Sequence, residues 1–280
     1  MDPDFKRIRV RPISGALGAE IDGADLGQPL DDHTFGEVRR AFLDHLVIFF
    51  RDQRLESGHL KAFARRFGPL NVHPFVLAAG AANADPEVLE VVREPSSRYV
   101  FGAGWHADHT FRETPLLGAA LYALEVPEAG GDTLFANMYQ AYESLSEGLK
   151  ALLARLRAVH RANVVAYRDD PNLKASASEM AERVAEHPVV RTHPATGRKL
   201  LFVNPMSTVR FAGMTEEESR PLLSFLFEHA TRPEFTCRFR WRAGSLALWD
   251  NRCVQHNPID DTFGHRRRML RVAIEGDRPI

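Results

Sequence analysis

Trp105-His106-Ala107-Asp108-His109-Thr110-Phe111 is the stretch on which the reading of this chain turns. On extended backbone, residues two apart point to the same face. The spacing therefore predicts that His106 and Asp108 present an imidazole and a carboxylate side by side, inside a strand-built core. His109, three positions from His106, faces the other way on a strand. Trp105 and Phe111 supply apolar walls on either flank. Two such ligands hold a divalent metal weakly, and a third makes a site. With 12 histidines in the chain, one His-x-Asp arises by chance roughly half the time, so the pair needs a distant partner before it carries an argument.

Outward from that stretch the pattern is of short strands. Residues 88–92 form an apolar strand, and 94–104 form a Pro-, Ser- and Gly-containing loop that delivers the chain to His106. Residues 117–126 read as a strand, and Gly130-Gly131-Asp132 as a turn into a strand at 133–135. Residues 7–12 read as a strand and 46–50 as a buried one. Between them Asp31 or Asp32 caps a helix to about residue 45, with Phe35, Val38, Ala41 and Phe42 on one face. Ser57 caps a second helix that stops at Gly68.

Helical periodicity returns over 138–156. Residues 164–186 are polar and contain Pro171, which reads as a lid insert. Residues 189–191 and 200–203 flank a turn and form a hairpin. Thr215 and Glu218 make a capping box for a helix to about His229, with Pro221 weakening its first turns. Strands at 235–241, 245–250 and 267–275 close the chain. The expectation is a mainly β fold with flanking helices, a double-stranded β-helix (jelly roll) core, and a single domain over 1–280. There is no glycine-rich nucleotide-binding loop.

Composition narrows the partners. The 280 residues carry 36 basic and 37 acidic side chains, a net charge of −1, which gives no electrostatic case for nucleic acid or an anionic membrane. No apolar run approaches the length of a membrane span. The acidic start, Met1-Asp2-Pro3-Asp4, lacks a secretory apolar region. The two cysteines, Cys237 and Cys253, lack metal-ligand spacing and suit a reducing compartment, so a cytoplasmic location is expected.

The third ligand should sit at a strand end among polar residues that orient it, and Trp249-Asp250-Asn251-Arg252-Cys253-Val254-Gln255-His256 is such a place. His160, His187, His193 and His229 are weaker candidates, since a lone histidine is more often structural than a ligand. Two imidazoles and one carboxylate form the facial triad of non-heme Fe(II) oxygenases. In the last strand Arg267, Met269 and Arg271 share one face. Two arginines projecting into a core need anionic partners, and their guanidinium forks suit a carboxylate or sulfonate. A solvated strand edge would explain the same residues. A His2Asp zinc hydrolase and a non-enzymatic jelly-roll module that binds small anions are alternatives to an oxygenase.

These strings together resemble one family. W-H-A-D-H-T-F, G-G-D-T, R-P-E-F-T-C-R-F-R-W, and W-D-N-R-C-V-Q-H followed by R-R-R-M-L-R-V-A-I look like the taurine/chlorophenoxyacetate dioxygenases. The likeness runs from the N-terminal helices to the last strand. It implies Fe(II), 2-oxoglutarate and O2 as cofactor, cosubstrate and oxidant, with iron held by His106, Asp108 and His256. It further implies that Arg271 and Thr133 take the distal carboxylate of 2-oxoglutarate, and that Arg267 and His73 hold the substrate anion. The implied substrate is a small organic anion, hydroxylated with release of succinate and CO2. A homo-oligomer is also expected. Val76, Gly102 and Ser207 stand where the taurine enzymes carry tyrosine, asparagine and phenylalanine, which points to an alkylsulfonate, sulfate ester or aryloxy-carboxylate in place of taurine.

Overall fold

The computed structural model describes residues 5–72, 85–97, 102–163 and 182–280. Its strands in chain order are β1 (Arg9–Pro12), β2 (Ala19–Asp22), β3 (Val47–Phe50), β4 (Leu70–Asn71), β5 (Leu89–Arg93), β6 (Gly118–Glu125), β7 (Thr133–Asn137) and β8 (Arg157–Arg161). They continue as β9 (Val184–Pro188), β10 (Val190–Thr192), β11 (Lys199–Leu201), β12 (Thr208–Phe211), β13 (Thr236–Phe239), β14 (Leu246–Asp250), β15 (Val254–Pro258) and β16 (Arg267–Ile274).

The large sheet runs β1-β2-β3-β14-β6-β16-β4, with β5 also paired to β16. It therefore joins the first strand of the chain to the last. Smaller sheets, β13-β7-β15, β12-β8-β9 and β10-β11, lie apart from it. The mainly β architecture with a jelly-roll core is as expected, and among the described residues the sheets do not close into a barrel.

Alternation within the central strands divides the interior into two packed layers. Ile48, Phe50, Leu246, Leu248, Ala120, Tyr122, Val272 and Ile274 pack in the cluster that includes Val38, Phe42, Leu60 and Phe63 of the two N-terminal helices. Val47, Phe49, Ala247, Trp249, Ala119, Ala123, Met269 and Ala273 belong to the other cluster, shared with Phe135 of β7 and Phe239 of β13. Phe49 stacks on Phe239 with ring centroids 3.9 Å apart. Because Met269 and Ala273 face this second layer, Arg267 and Arg271 face it too.

Helix Asp32–His45 is capped by Asp31, whose carboxylate accepts from the N–H groups of His33 and Thr34, both at 2.9 Å. The second helix spans Ser57–Arg65, so Glu56 takes the cap position expected of Ser57, and the helix ends before Gly68. The helical stretch at 138–156 divides into Met138–Glu143 and Glu147–Leu153, because the Ser146 hydroxyl caps a new start at the Leu149 N–H. Thr215 and Glu218 form the expected box ahead of helix Glu216–Ala230.

The expected lid at 164–186 needs a correction. Residues 164–181 lie outside the described residues, but 184–186 belong to β9, which pairs antiparallel with β8. Strands β2, β8, β12 and β15 were also not expected as strands. Among the described residues no helix is long and apolar enough to cross a membrane. Cys237 and Cys253 are both buried thiols.

Candidate active site

His106 and His256 are brought together by the backbone. The His106 N–H donates to the His256 carbonyl at 3.0 Å, and the His256 N–H donates to the His106 carbonyl at 2.8 Å. This pair is an isolated antiparallel bridge, not a continuous strand, and the chain turns at Asp108–Thr110. The turn requires left-handed backbone at His109, with φ 53°. The extended start still leaves His106 and Asp108 on the same side, with Nε2 and Oδ1 3.8 Å apart. One ligand atom each from His106, Asp108 and His256 lies within 4.8 Å of the others.

The chemistry of these three groups suits a divalent metal. The His106 Nδ1 lies 2.8 Å from the Gly104 carbonyl, which can only accept, so Nδ1 carries the proton and Nε2 keeps its lone pair. Burial pulls the His106 and His256 pKa values below the usual histidine range, so both imidazoles are neutral at neutral pH. Burial alone would raise the Asp108 pKa, but the Arg271 guanidinium outweighs it and holds the carboxyl below its usual range. Asp108 Oδ2 and His256 Nδ1 are buried without hydrogen-bond partners. Iron would be held by these three side chains.

Beside the triad is a cavity of about 50 Å3, walled by Val91, Leu121, Phe135 and Trp249 and lined by Thr133, Arg267 and Arg271. Arg271 Nη2 stands 2.8 Å from Asp108 Oδ2, close enough for an ion pair but without hydrogen-bond alignment. Arg267 lies two strand repeats from Arg271 along β16, past Met269. Its side chain is half-buried, while its Nε and Nη2 are fully buried and have no hydrogen-bond partner. Loss of solvent, and then the charge of Arg93, pull its pKa down to about 10. Thr133 is at this same end. Its Oγ1 accepts from Trp241 Nε1 at 3.0 Å, and the Arg267 guanidinium lies 5.8 Å from the Trp241 ring centroid. A Cβ on Gly131, two residues before Thr133, would lie 3.3 Å from Arg267 Nε.

Sequence reasoning missed Arg93. It sits directly opposite Arg267 across β5 and β16. Its Nη1 donates to Asp260 Oδ1 and to Thr262 Oγ1, each at 2.7 Å, while its buried Nη2 has no partner. Like charges opposite one another across a sheet destabilise it. Two facing arginines with three unmet donors therefore mark a place for an anion. Asp260 lies 167 positions away from Arg93, so nothing local in the sequence could have revealed the arrangement.

Of the residues singled out above, His106, Asp108, His256, Thr133, Arg267 and Arg271 all border this one cavity, and His73 and Val76 lie outside the described residues. Gly102 is on the wall, with φ 72°, and a Cβ there would stand 3.3 Å from His106 Nε2. Ser207 is off the wall, in a turn where its N–H donates to Asn204 Oδ1. The rival histidines are structural. His187 bonds the carbonyls of Thr110 and Arg112, His160 the Thr110 hydroxyl, and His229 the Ala141 carbonyl.

Two other features lack site chemistry. His193, Asp250 and Cys253 also cluster, but His193 Nδ1 accepts from two backbone N–H groups, so Nε2 carries the proton it gives to Asp250. Arg252 chelates the same carboxylate at 2.8 and 2.6 Å, leaving no room electrostatically for a cation. A larger cavity, about 240 Å3, adjoins helix Ser57–Arg65, but of its lining side chains His59 and Arg66 already bond Glu56, Leu30 and Asp32, and among the described residues neither a carboxylate nor a metal-ligand cluster faces it. Convergent unmet polar atoms, not size, identify the site.

Two histidines and one carboxylate that leave coordination positions open beside a cationic cavity, on a jelly roll, define the Fe(II)- and 2-oxoglutarate-dependent dioxygenases as a class. The chain belongs to the Taurine catabolism dioxygenase TauD, TfdA family, which it matches over residues 9–273. It is 34% identical to an alkylsulfatase of Acinetobacter baylyi, covering 97% of this chain and 86% of that one. It is 33% identical to an alpha-ketoglutarate-dependent 2,4-dichlorophenoxyacetate dioxygenase of Cupriavidus pinatubonensis, covering 98% of this chain and 99% of that one. The crystal structure of a taurine dioxygenase from Burkholderia xenovorans superposes with a TM-score of 0.84 at 37% identity, over 98% of this chain and 93% of that one. The enzyme is a 2-oxoglutarate-dependent dioxygenase that uses Fe(II), 2-oxoglutarate and O2. These relationships do not favour the zinc hydrolase or the non-enzymatic module.

Proposed function

We propose that the enzyme hydroxylates a small organic anion of the sulfate ester, sulfonate or aryloxy-carboxylate class, converting 2-oxoglutarate to succinate and CO2. The observation that carries this is the pair of arginines on the inner face of β16, one against the triad and one beyond it. The chemistry supplied once iron, 2-oxoglutarate and O2 are bound is insertion of one oxygen atom into a substrate C–H bond, the other going to succinate. The chain's own part is to hold and orient. Its two neutral imidazoles and one carboxylate fix the metal, its arginines place two anions, and Phe135, Leu121 and Trp249 keep water from the reacting carbon.

The contacts support exchanging the roles that the family resemblance implied for the two arginines. 2-Oxoglutarate chelates a metal through one end and carries its second carboxylate four carbons away. Arg267, with Thr133 beside it, stands at the far end of the cavity and takes that distal carboxylate. Arg271, against Asp108, takes the head group of the substrate. Relatives whose names specify an alkyl sulfate or a chlorophenoxyacetate support an anionic head group. His73 remains part of the proposal as a second contact to that head group. We also infer a single catalytic domain that assembles as a homo-oligomer; a solution mass equal to the 31.5 kDa of one chain removes the assembly.

The test is succinate release in air with Fe(II), 2-oxoglutarate and ascorbate, scanned over alkyl sulfates, alkylsulfonates and aryloxyacetic acids beside their neutral analogues. One anionic class is expected to stimulate release with a matching oxidised product. Equal stimulation by the neutral analogues overturns the proposal.

A further inference from the structure

Asp108 is held by another side chain, Asn251. The Asp108 N–H donates to Asn251 Oδ1 at 2.6 Å, and Asn251 Nδ2 donates back to the Asp108 carbonyl at 2.9 Å. The same Nδ2 donates to the Leu116 carbonyl at 3.0 Å, and the Asn251 N–H to the Leu117 carbonyl at 2.9 Å. The side chain is 1% exposed, so these bonds face no competition from water. A primary amide is the one side chain that offers a donor and an acceptor in a plane as a peptide does. Asn251 thus pairs with Asp108 as a neighbouring strand would, at the point where the chain leaves extended geometry for a turn.

That turn needs holding. His109 occupies the left-handed region, a conformation that costs a non-glycine residue on the order of 1–2 kcal/mol. Among the described residues no regular strand pairs with the Asp108 main chain, because the pairing with β15 stops at His106. Asn251 also belongs to the turn between β14 and β15, and β15 carries His256. Its neighbours are anchored in turn: Asp250 accepts two bonds from the Arg252 guanidinium and one from His193 Nε2. One buried turn therefore carries the third ligand and clamps the second.

We propose that Asn251 is a positioning residue that sets the iron affinity of the site by fixing the Asp108 main chain. The inference rests on the reading of Asp108 as an iron ligand. An aspartate at 251 would set a carboxylate oxygen against two carbonyls, and an alanine would leave all three groups unpaired. Partners that orient a metal ligand are typically worth 10- to 100-fold in metal affinity.

The experiment is anaerobic titration of the metal-free protein with Fe(II), read by calorimetry, together with the visible spectrum of the Co(II)-loaded protein. Asn251→Ala and Asn251→Asp are expected to weaken Fe(II) binding about 10- to 100-fold at a temperature well below their melting points, and to alter the Co(II) spectrum. Asn137→Ala is the matched control. Asn137 is also buried and makes three side-chain bonds, to Ala16, Tyr139 and Gln140, at the start of helix Met138–Glu143. It should lower the melting temperature and leave both metal readouts unchanged. Asn251→Ser carries the test if the alanine variant does not fold. Folded Asn251 variants that bind Fe(II) within twofold of wild type overturn the inference; a wild-type chain that binds no Fe(II) overturns the ligand assignment instead.

Discussion

Replacing Arg267 by methionine should separate cosubstrate affinity from stability. Methionine keeps most of the side-chain length and packing against Gly131 while removing the guanidinium. Loss of solvent, chiefly, pulls the Arg267 pKa down from the usual guanidinium range to about 10. At about 1.4 kcal/mol per unit, that drop corresponds to about 3 kcal/mol withheld from the charged form. A carboxylate docking on Nε and Nη2 returns energy on this scale, and 3 kcal/mol is about 100-fold in affinity. The figure is an upper one because the side chain is partly open to solvent. The loss on truncation should therefore be about 30- to 100-fold in the Kd for 2-oxoglutarate. Without cosubstrate, the same variant removes two unmet donors and one of two facing cations, so its melting temperature should hold or rise. The assays are anaerobic titration of the Fe(II) protein with 2-oxoglutarate, followed by its visible charge-transfer band, and thermal melting of the metal-free protein. A Kd within threefold of wild type refutes the assignment, all the more if Arg271→Met takes the loss instead.

Arg271→Met should raise the substrate KM by tenfold or more while changing the 2-oxoglutarate Kd by less than threefold, measured by initial rates under varied substrate. Gly102→Ala puts a Cβ 3.1 Å from His106 Cε1 on left-handed backbone, so calorimetric Fe(II) affinity should fall and the fold should lose about 1–2 kcal/mol; unchanged affinity counts against crowding of this imidazole. Arg267 is charged below about pH 10, so the 2-oxoglutarate KM should be flat through neutral pH and rise as pH passes 10. A rise that begins near pH 7 points to a different group.

The arginine face of β16 was legible because strand periodicity is strict. Once residues 267–275 read as a strand, Arg267, Met269 and Arg271 had to share a side, and Met269 is fully buried there. Strands β3, β6 and β14 were legible as apolar runs bounded by polar or turn residues. β9 and β15 were not, since Val-Ala-Glu-His-Pro and Val-Gln-His-Asn-Pro lack an apolar alternation and are strands only through distant partners. His256 was found from its polar neighbourhood and not from recognising β15. The role of Asn251 was invisible because it depends on a turn 143 positions away. The exchange proposed for the two arginines was equally beyond reach: both face inward, and the proposal rests on the contacts to Asp108 on one side and Trp241 on the other.

Whether three side chains hold one iron is decided by the iron stoichiometry of wild type against His256→Ala. One Fe(II) per chain with a visible band on adding 2-oxoglutarate is expected, with loss of both when the imidazole is removed. Equal iron and an equal band in His256→Ala would contradict the three-ligand site.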